Sequence, residues 1–370
     1  METTVYKLPF YAKIALVSIS LFAFVYTMRI GQQIIIPIVY ATIIAILLNP
    51  FVNFLTRHRF NRLIAILIAV ILALLVVLTI LYFVISQGDN FMASFPKMQE
   101  KLTANSTDFI NWLAEQTSVH PDKINKWLAE TQSEQIDDFA VGENITKFGQ
   151  MLVTTVLLPV YMVMLLYYKP LILEFIHRLF RSENQTAVDE VLKNTKKIIQ
   201  SYLVGLFIEM IIVAILNSIG LLLIGIQYAI LLGVIGALLN IIPYLGAIIA
   251  ATIFMLIALL TKSPIYMLYV LLMYFFIQFI DNNFLLPKVV AARVKINAFI
   301  SIVVVLIGAA IWGIPGMFLA IPLTAIVKVI FDHVEPLKPW GFLLGDTMPA
   351  VITLKKISFR KKGKAETKGE

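Results

Sequence analysis

Residues 201–246 read SYLVGLFIEMIIVAILNSIGLLLIGIQYAILLGVIGALLNIIPYLG, an apolar stretch with a single acid, Glu209, and a break at Pro243. The pattern returns 72 positions later, where Asp281 and Pro315 stand in the places of Glu209 and Pro243. The other matches pair Tyr202 with Tyr274, Phe207-Ile208 with Phe279-Ile280, Ile235-Gly236-Ala237 with Ile307-Gly308-Ala309, Ile242 with Ile314, and Pro264 with Pro336. An internal repeat with an acid inside each apolar copy is typical of secondary transporters.

Composition places the chain among polytopic membrane proteins. Of its 370 residues, 60% are hydrophobic and only 14% are charged, and the mean hydropathy is +0.88. This is more apolar surface than one soluble core of that length holds, and it lies in long blocks. The basic residues behind the net charge of +8 stand at the ends of these blocks, where they set topology. This placement argues against nucleic-acid binding.

Enzyme chemistry finds little support in the sequence. There is no cysteine, which excludes thiolate ligands, disulfides and a cysteine nucleophile. The four histidines are scattered, with no HExxH pair, and no GxxxxGK[ST] phosphate loop occurs. We therefore expect no catalytic residue, no metal site and no cofactor, and we expect that ATP does not drive the chain directly.

Apolar blocks and charge divide the chain into seven parts. The basic loop Arg57–Arg62 marks the cytoplasmic side under the positive-inside rule, and both termini fall on that side. The predicted parts are transmembrane helices 1–3 (1–86), an extracytoplasmic helical domain (87–147), helix 4 (148–168), a cytoplasmic amphipathic segment (169–200), repeat 1 (201–264), repeat 2 (265–336) and a basic cytoplasmic tail (337–370). Each repeat consists of a helix followed by a broken apolar stretch.

Two topologies compete for the broken stretches, which run from Ile226 to Leu260 and from Phe299 to Phe331. As plain spans they give eight transmembrane helices and leave Lys288, with Arg293 and Lys295, on the outside, against the positive-inside rule. As re-entrant helical hairpins they give about six full spans and two opposed hairpins, and the same cations lie inside. The sequence favours this all-α inverted repeat over eight plain spans, although prolines also kink ordinary helices.

Candidate site residues follow from the repeat. A carboxylate near the bilayer centre costs about 2.5 to 3.5 kcal/mol on insertion scales, so such acids usually bind a proton, a cation or a polar solute. The alternative is that each acid accepts hydrogen bonds between helices. The predicted substrate or ion ligands are Glu209, Asp281, Asn282, Asn283, Asn240 and Gln278, and the predicted hairpin tips are Pro243, Tyr244, Gly246, Gly313, Pro315 and Gly316. We expect the site between the two tips, near the acids.

Several motifs resemble the autoinducer-2 exporter (AI-2E) family of bacterial membrane proteins. They are Gly233–Gly246 with its IPYLG ending, Gln278–Pro287, Ile311–Pro322, Leu47–Val52 and Arg62–Ala65. The resemblance implies a transporter in the bacterial inner membrane. Family members are described as exporters of the quorum-sensing furanone autoinducer-2, and some resemble sodium or lithium/proton antiporters.

Three functions remain open from the sequence. The first is a secondary transporter that exports a small polar solute, such as autoinducer-2 or a similar metabolite, with proton or sodium coupling. The second is a sodium(lithium)/proton antiporter that uses the same acids, and the third is a non-transporting membrane scaffold. The expected partners are the lipid bilayer, the solute, a proton or sodium ion and further copies of the chain in a homo-oligomer.

Overall fold

The computed structural model describes residues 9–88, 156–291 and 296–347, which are helical apart from turns and one isolated bridge between Ile296 and Gly345. The prediction of an all-α membrane protein is confirmed. The extracytoplasmic domain predicted at 87–147 lies outside the described residues except for its first two positions, and so does most of the predicted tail at 337–370.

Four helices form the amino-terminal part of the described structure. They are α1 (Phe10–Ile30), α2 (Gln32–Arg57), α3 (Arg62–Gly88) and α4 (Val156–Tyr167). Small side chains line the contact between α2 and α3, where Ala41, Ala65 and Ala69 are fully buried. Small side chains let helix backbones approach closely. Close packing matters inside a bilayer, because no hydrophobic driving force brings helices together there. Helix α1, by contrast, buries none of its residues against the rest of the described structure.

A bend of 63° joins α4 to the short helix α5 (Lys169–Leu179). Helix α6 (Gln185–Ile224) then runs for 40 residues, or about 60 Å at 1.5 Å per residue, and ends at Gly225 in the left-handed conformation. It carries Glu209, and both broken stretches pack against it.

The first broken stretch is a pair of short helices, α7 (Ala229–Asn240) and α8 (Leu245–Thr261). The chain turns between them at 241–244, and the backbone of Gly246 packs directly on the Leu239 carbonyl. The end of α8 lies close to the start of α7, because the ammonium of Lys262, just after α8, lies beside Gly225, shortly before α7. The two helices therefore form a hairpin, named hairpin 1, which opens at the carboxyl end of α6.

The second repeat begins with α9 (Pro264–Ile280), which continues as a π-helical segment at Asp281–Ala291. Helix α10 (Ala298–His333) follows and breaks at Gly313, whose φ of 61° and ψ of −141° are non-helical. The arms on either side of Gly313 fold back on each other. A Cβ placed on Gly316 would lie 2.0 Å from the Gly308 carbonyl oxygen, whereas eight residues of straight helix span about 12 Å.

Both ends of α10 lie at one side of the molecule. Asn297, just before α10, donates from its Nδ2 to the carbonyl oxygens of Leu343 (2.8 Å) and Gly345 (2.9 Å). These acceptors belong to the end of α11 (Lys338–Leu344), whose Gly341 packs on Asp332 near the other end of α10. The arms of α10 are therefore a second hairpin, named hairpin 2.

The two hairpins open at opposite ends of α6. Hairpin 2 opens near the start of α6, where His333 lies 3.7 Å from Glu190, and hairpin 1 opens beyond its last residue, at Gly225. The first unit, α6 with hairpin 1, and the second unit, α9 with hairpin 2, therefore run in opposite directions. This is the arrangement that the inverted repeat predicted.

Six helices within the described residues are long and apolar enough to cross a membrane, or seven if α4 and α5 make one bent span. Helix α10 is among the six by length, although it folds back at Gly313. The two helices of hairpin 1 have 12 and 17 residues, fewer than the roughly 20 that a full span needs. That the hairpins re-enter the bilayer remains a prediction.

Single cysteines will test this topology, since the chain contains none. With re-entrant hairpins, Ser263→Cys is expected to react with a membrane-impermeant maleimide only from outside, and Lys288→Cys only from the cytoplasm. Both positions are exposed, so the label can reach them. Eight plain spans would reverse both results. Labelling of right-side-out and inside-out vesicles therefore distinguishes the two topologies.

Candidate functional site

The two acids of the repeat line one cavity. Glu209 lies in the middle of α6, and Asp281 lies where α9 changes from α-helical to π-helical turns. Both side chains are buried, with 3% and 2% of their surface exposed, and both face a cavity of about 430 Å³. π-helical geometry is rare in proteins and is frequently found at functional sites.

Amide side chains form a hydrogen-bonded network around Asp281, and this network includes the tip of hairpin 1. Asn240, the last residue of α7, donates from its Nδ2 to the Asp281 Oδ2 at 2.9 Å. Gln278 donates from its Nε2 to the Asn240 Oδ1 at 3.3 Å and to the Tyr274 hydroxyl at 2.9 Å. Asn282 reaches the Gln278 Oε1 at 3.5 Å. The tip of hairpin 1 therefore bonds directly to the acid.

Each acid also has a buried oxygen with no hydrogen-bond donor among the described residues. These atoms are Glu209 Oε2 and Asp281 Oδ1. An unsatisfied buried acceptor costs about 1 to 3 kcal/mol, and more when it is charged. Groups that suit such oxygens are a proton, a cation or the hydroxyl of a polar solute. The cavity can thus bind ligands of these classes.

The walls of the cavity come from both repeats and both hairpins. Tyr244 at the tip of hairpin 1 has a φ of 64°, an unusual value for a residue with a side chain. The arms of hairpin 2 contribute Ser301 and Ile321. The remaining lining residues are Tyr202, Leu206, Ile241, Pro243, Ala247, Ile248, Leu286 and Ile296. Most of them are apolar, so the polar groups are concentrated around the acids.

The structure brings together seven of the twelve residues predicted for the site. Those that line the cavity are Glu209, Asp281, Asn240, Gln278, Asn282, Pro243 and Tyr244. Asn283 lies outside it, is exposed, and donates from its Nδ2 to the Phe279 carbonyl oxygen. Gly246 lies behind the tip, against the Leu239 backbone.

The tip of hairpin 2, with Gly313, Pro315 and Gly316, does not reach this cavity, so the two tips do not enclose one site. Instead it packs on the first two helices: Trp312 donates from its Nε1 to the Met28 carbonyl oxygen at 2.9 Å. The Tyr40 hydroxyl donates to the Pro315 carbonyl oxygen at 3.3 Å. These anchors hold the tip against α1 and α2.

The repeat explains this asymmetry. Asn240 occupies the position that Trp312 occupies 72 residues later, so only the tip of hairpin 1 carries an amide that can reach an acid. Likewise Gln278 corresponds to Leu206, and both line the cavity. Each repeat supplies four hydrogen-bonding side chains to the cavity: Tyr202, Glu209, Asn240 and Tyr244 from the first, and Gln278, Asp281, Asn282 and Ser301 from the second. Tyr202 and Ser301 were not predicted for the site, although the match of Tyr202 to Tyr274 was visible in the sequence.

Several apolar helices of membrane-spanning length, packed around a buried acidic cavity, define a multi-pass membrane protein. The family model for the AI-2E family transporter matches residues 16–335. The chain therefore belongs to the AI-2E transporter family, as its motifs indicated.

Individual relatives carry names of the same kind. The "Putative transport protein YhhT" of Escherichia coli (strain K12) is 24% identical over 325 residues, which are 86% of this chain and 90% of that protein. The "Putative permease PerM" of the same organism is 26% identical over 278 residues, 70% of this chain and 76% of PerM. The "Putative transport protein YrrI" of Bacillus subtilis (strain 168) is 34% identical, but over only 36% of this chain and 37% of YrrI.

Proposed function

We propose that this protein is a secondary transporter that exports a small polar solute and couples the export to protons or sodium through Glu209 and Asp281. The observation that carries the proposal is the pair of buried carboxylates on one cavity, each with an oxygen that no described protein donor satisfies. Membership in the AI-2E family supports the transport part. The coupling ion and the direction are proposed from the chemistry of the acids and from the family resemblance.

The size of the cavity favours a solute over a bare ion. At about 430 Å³ it falls within the range of small-molecule sites, roughly 300 to 1,000 Å³. Carboxylates, amides and the Ser301 hydroxyl would bind a compound with several hydroxyl groups, while the apolar walls would hold its carbon skeleton. A hydroxylated furanone such as autoinducer-2 is of this chemical class, so we propose it, or a similar metabolite, as the substrate.

We propose that hairpin 1 couples the acid to access. Its tip lines the cavity, where Asn240 donates from its Nδ2 to the Asp281 Oδ2 at 2.9 Å. A proton or cation bound at the free Oδ1 of Asp281 would neutralise the carboxylate and so weaken the bond that its Oδ2 accepts from Asn240. Ligand binding can therefore free the tip, and the hairpin-bearing repeats would then move against a scaffold built from α1 to α4.

A sodium(lithium)/proton antiporter is the second candidate, favoured by the same pair of oxygens. A sodium ion would take its ligands from the two carboxylates and the amide oxygens of Asn240 and Gln278, which suit a hard cation. We also propose location in the bacterial inner membrane with both termini cytoplasmic. The proposed homo-oligomer would contact the face of α1, which the described part of the chain leaves uncovered.

Transport by the purified protein in liposomes tests these proposals. We expect accumulation of autoinducer-2, or of a related hydroxylated metabolite from a defined panel, only when a proton or sodium gradient is imposed. Proton movement driven by sodium or lithium without any solute would instead support the antiporter. Absence of both solute and ion flux from folded protein would contradict both functions and favour the scaffold.

Asn240→Ala tests the link between hairpin and acid. The change removes the donor to Asp281, and a hydrogen bond to a charged group contributes about 1.5 to 3 kcal/mol. We expect coupled flux to fall on the order of tenfold or more. Asn283→Ala is the matched control, because this amide donates only to a backbone carbonyl within its own helix. Equal flux in the two variants would contradict the proposed role of Asn240.

A further inference from the structure

A second cavity, of about 470 Å³, lies between α2, α4, α5 and α6, and we name it the basic cavity. The basic side chains on it are Lys169, Lys193, Lys196 and His177, and its single acid, Asp189, lies 3.4 Å from the His177 Nε2. Within the described part of the chain none of the three lysines forms an ion pair. The basic cavity therefore has an excess of positive charge.

Two polar groups on this cavity lack a partner in the described structure. Asn49 is 95% buried, since 5% of it is exposed. Its Oδ1 accepts from the Lys169 Nζ at 3.0 Å, but its Nδ2 has no acceptor. The buried Thr195 Oγ1 also has no hydrogen-bond partner. Both are donors, and together with the lysines they form a set that suits an anion with several oxygens, such as a phosphate.

The electrostatics of Lys169 agree with this charge excess. Burial lowers the pKa of Lys169, and the neighbouring cations Lys196 and Arg62 lower it further. Arg62 itself is held at the end of α4, where its Nη2 donates to the carbonyl oxygens of Leu166 (2.9 Å) and Tyr167 (3.2 Å). A bound anion would reverse the effect of these cations on Lys169.

The surroundings favour a lipid over a free anion. An apolar part of the cavity wall comes from α2, α4 and α5. It includes Ala45, Ile46, Leu165, Leu166, Ile172 and Leu173. Helix α5 also presents Leu171, Phe175 and Leu179 outward, each more than half exposed, as expected for a helix lying on a membrane surface. The basic side chains therefore lie beside an apolar groove that these wall residues form.

We propose that the basic cavity binds the headgroup phosphate of an anionic phospholipid, with the acyl chains along the apolar groove. Basic pockets between transmembrane helices at the cytoplasmic side commonly bind such headgroups. The lipid would connect α2 and α4 with α6, and so it would join the amino-terminal helices to the repeat that carries Glu209. This site is independent of the proposed transport function.

Lipid retention by the full-length protein tests the proposal. Wild-type protein is reconstituted in vesicles of equimolar phosphatidylcholine and phosphatidylglycerol, extracted into detergent, and its co-purified lipid is measured by mass spectrometry. We expect enrichment of phosphatidylglycerol in wild type and a loss on the order of tenfold in Lys193→Gln/Lys196→Gln, because each lysine near the surface contributes about 1 kcal/mol. Both lysines are exposed and unpaired, so their removal should not disturb folding.

Two further variants make the result specific. Lys13→Gln/Lys288→Gln removes the same charge from exposed positions off the cavity and should retain phosphatidylglycerol like wild type. Thr195→Val loses no internal hydrogen bond, so it should lower retention severalfold without lowering the melting temperature. Equal enrichment in both double variants would overturn the proposal. So would displacement of the lipid by inorganic phosphate at a similar concentration, since that would show a site for a free anion.

Discussion

Glu209→Gln and Asp281→Asn are each expected to reduce coupled transport by about 10- to 100-fold, and their combination is expected to abolish it. Each substitution removes a negative charge and a proton-binding site from the cavity while keeping the size of the side chain. Interactions with a charged group contribute about 1.5 to 3 kcal/mol, which corresponds to this range of rates or affinities. Flux of solute and of protons or sodium into liposomes measures the effect.

Glu209→Gln should not lose stability, and this distinguishes a transport role from a structural one. Glu209 Oε2 has no donor in the described structure, so replacing the buried carboxylate by a neutral amide removes an unfavourable charge. We expect the melting temperature of Glu209→Gln in detergent to equal or exceed that of wild type. Reduced flux together with a markedly lower melting temperature would indicate that the acid holds helices together.

A control acid completes the comparison. Glu335→Gln changes an exposed carboxylate that pairs with Lys338 on the surface, away from the cavity. Exposed ion pairs of this kind contribute little to stability, so both flux and melting temperature should match wild type. Unchanged flux and unchanged ion dependence in Glu209→Gln and Asp281→Asn, relative to this control, would exclude the acids from the mechanism.

Much of the fold could be predicted because bilayer insertion constrains sequence strongly. Spans need long apolar runs, and the short helices of hairpin 1 were marked by a break at Pro243 inside a run too long for one span. The positive-inside rule places Lys288 on the cytoplasmic side of the membrane, and of the two topologies only opposed hairpins bring it there. The ends of both hairpins, near Gly225 and near Asn297, agree with that arrangement.

The site could be predicted only in part, because the repeat is symmetric in backbone but not in side chains. Sequence equivalence suggested that the tips at Pro243 and Pro315 meet. Yet Asn240 reaches Asp281, whereas the equivalent Trp312 bonds to Met28. Which tip reaches an acid depends on tertiary contacts of single side chains, and these have no periodic signal in the sequence. The difference itself, an amide at Asn240 and an indole at the equivalent Trp312, could nevertheless be read from the sequence.

The second large effect is expected at the crossing of the arms in hairpin 2. Alanine at Gly316 would place its Cβ 2.0 Å from the Gly308 carbonyl oxygen, and alanine at Gly308 would place its Cβ 2.4 Å from the Gly316 carbonyl oxygen. Both contacts are with backbone, which cannot move aside as a flexible side chain can. The arms must separate, and overpacking of this kind costs about 1 to 3 kcal/mol or more. We expect a clear fall in melting temperature for Gly316→Ala.

Gly88→Ala is the matched control, because no atom of the described residues lies within 4 Å of the added Cβ at that position. It should stay within about 0.5 kcal/mol of wild type. Gly313→Ala tests a different cause, since its Cβ also meets nothing, but its φ of 61° and ψ of −141° are disfavoured for alanine. Strain of this kind costs about 1 to 3 kcal/mol. A wild-type melting temperature in Gly313→Ala would contradict the break in α10.

The double variant Gly308→Ala/Gly316→Ala shows whether the arms of hairpin 2 touch. In the hairpin both substitutions push apart the same pair of backbones, so the second should cost less once the first has separated them. We expect the combined loss to fall short of the sum by about 1 kcal/mol or more. In a continuous helix the two positions would be about 12 Å apart and their effects would add. Additive losses would therefore show that α10 is a kinked span, and a shortfall would support two arms in contact.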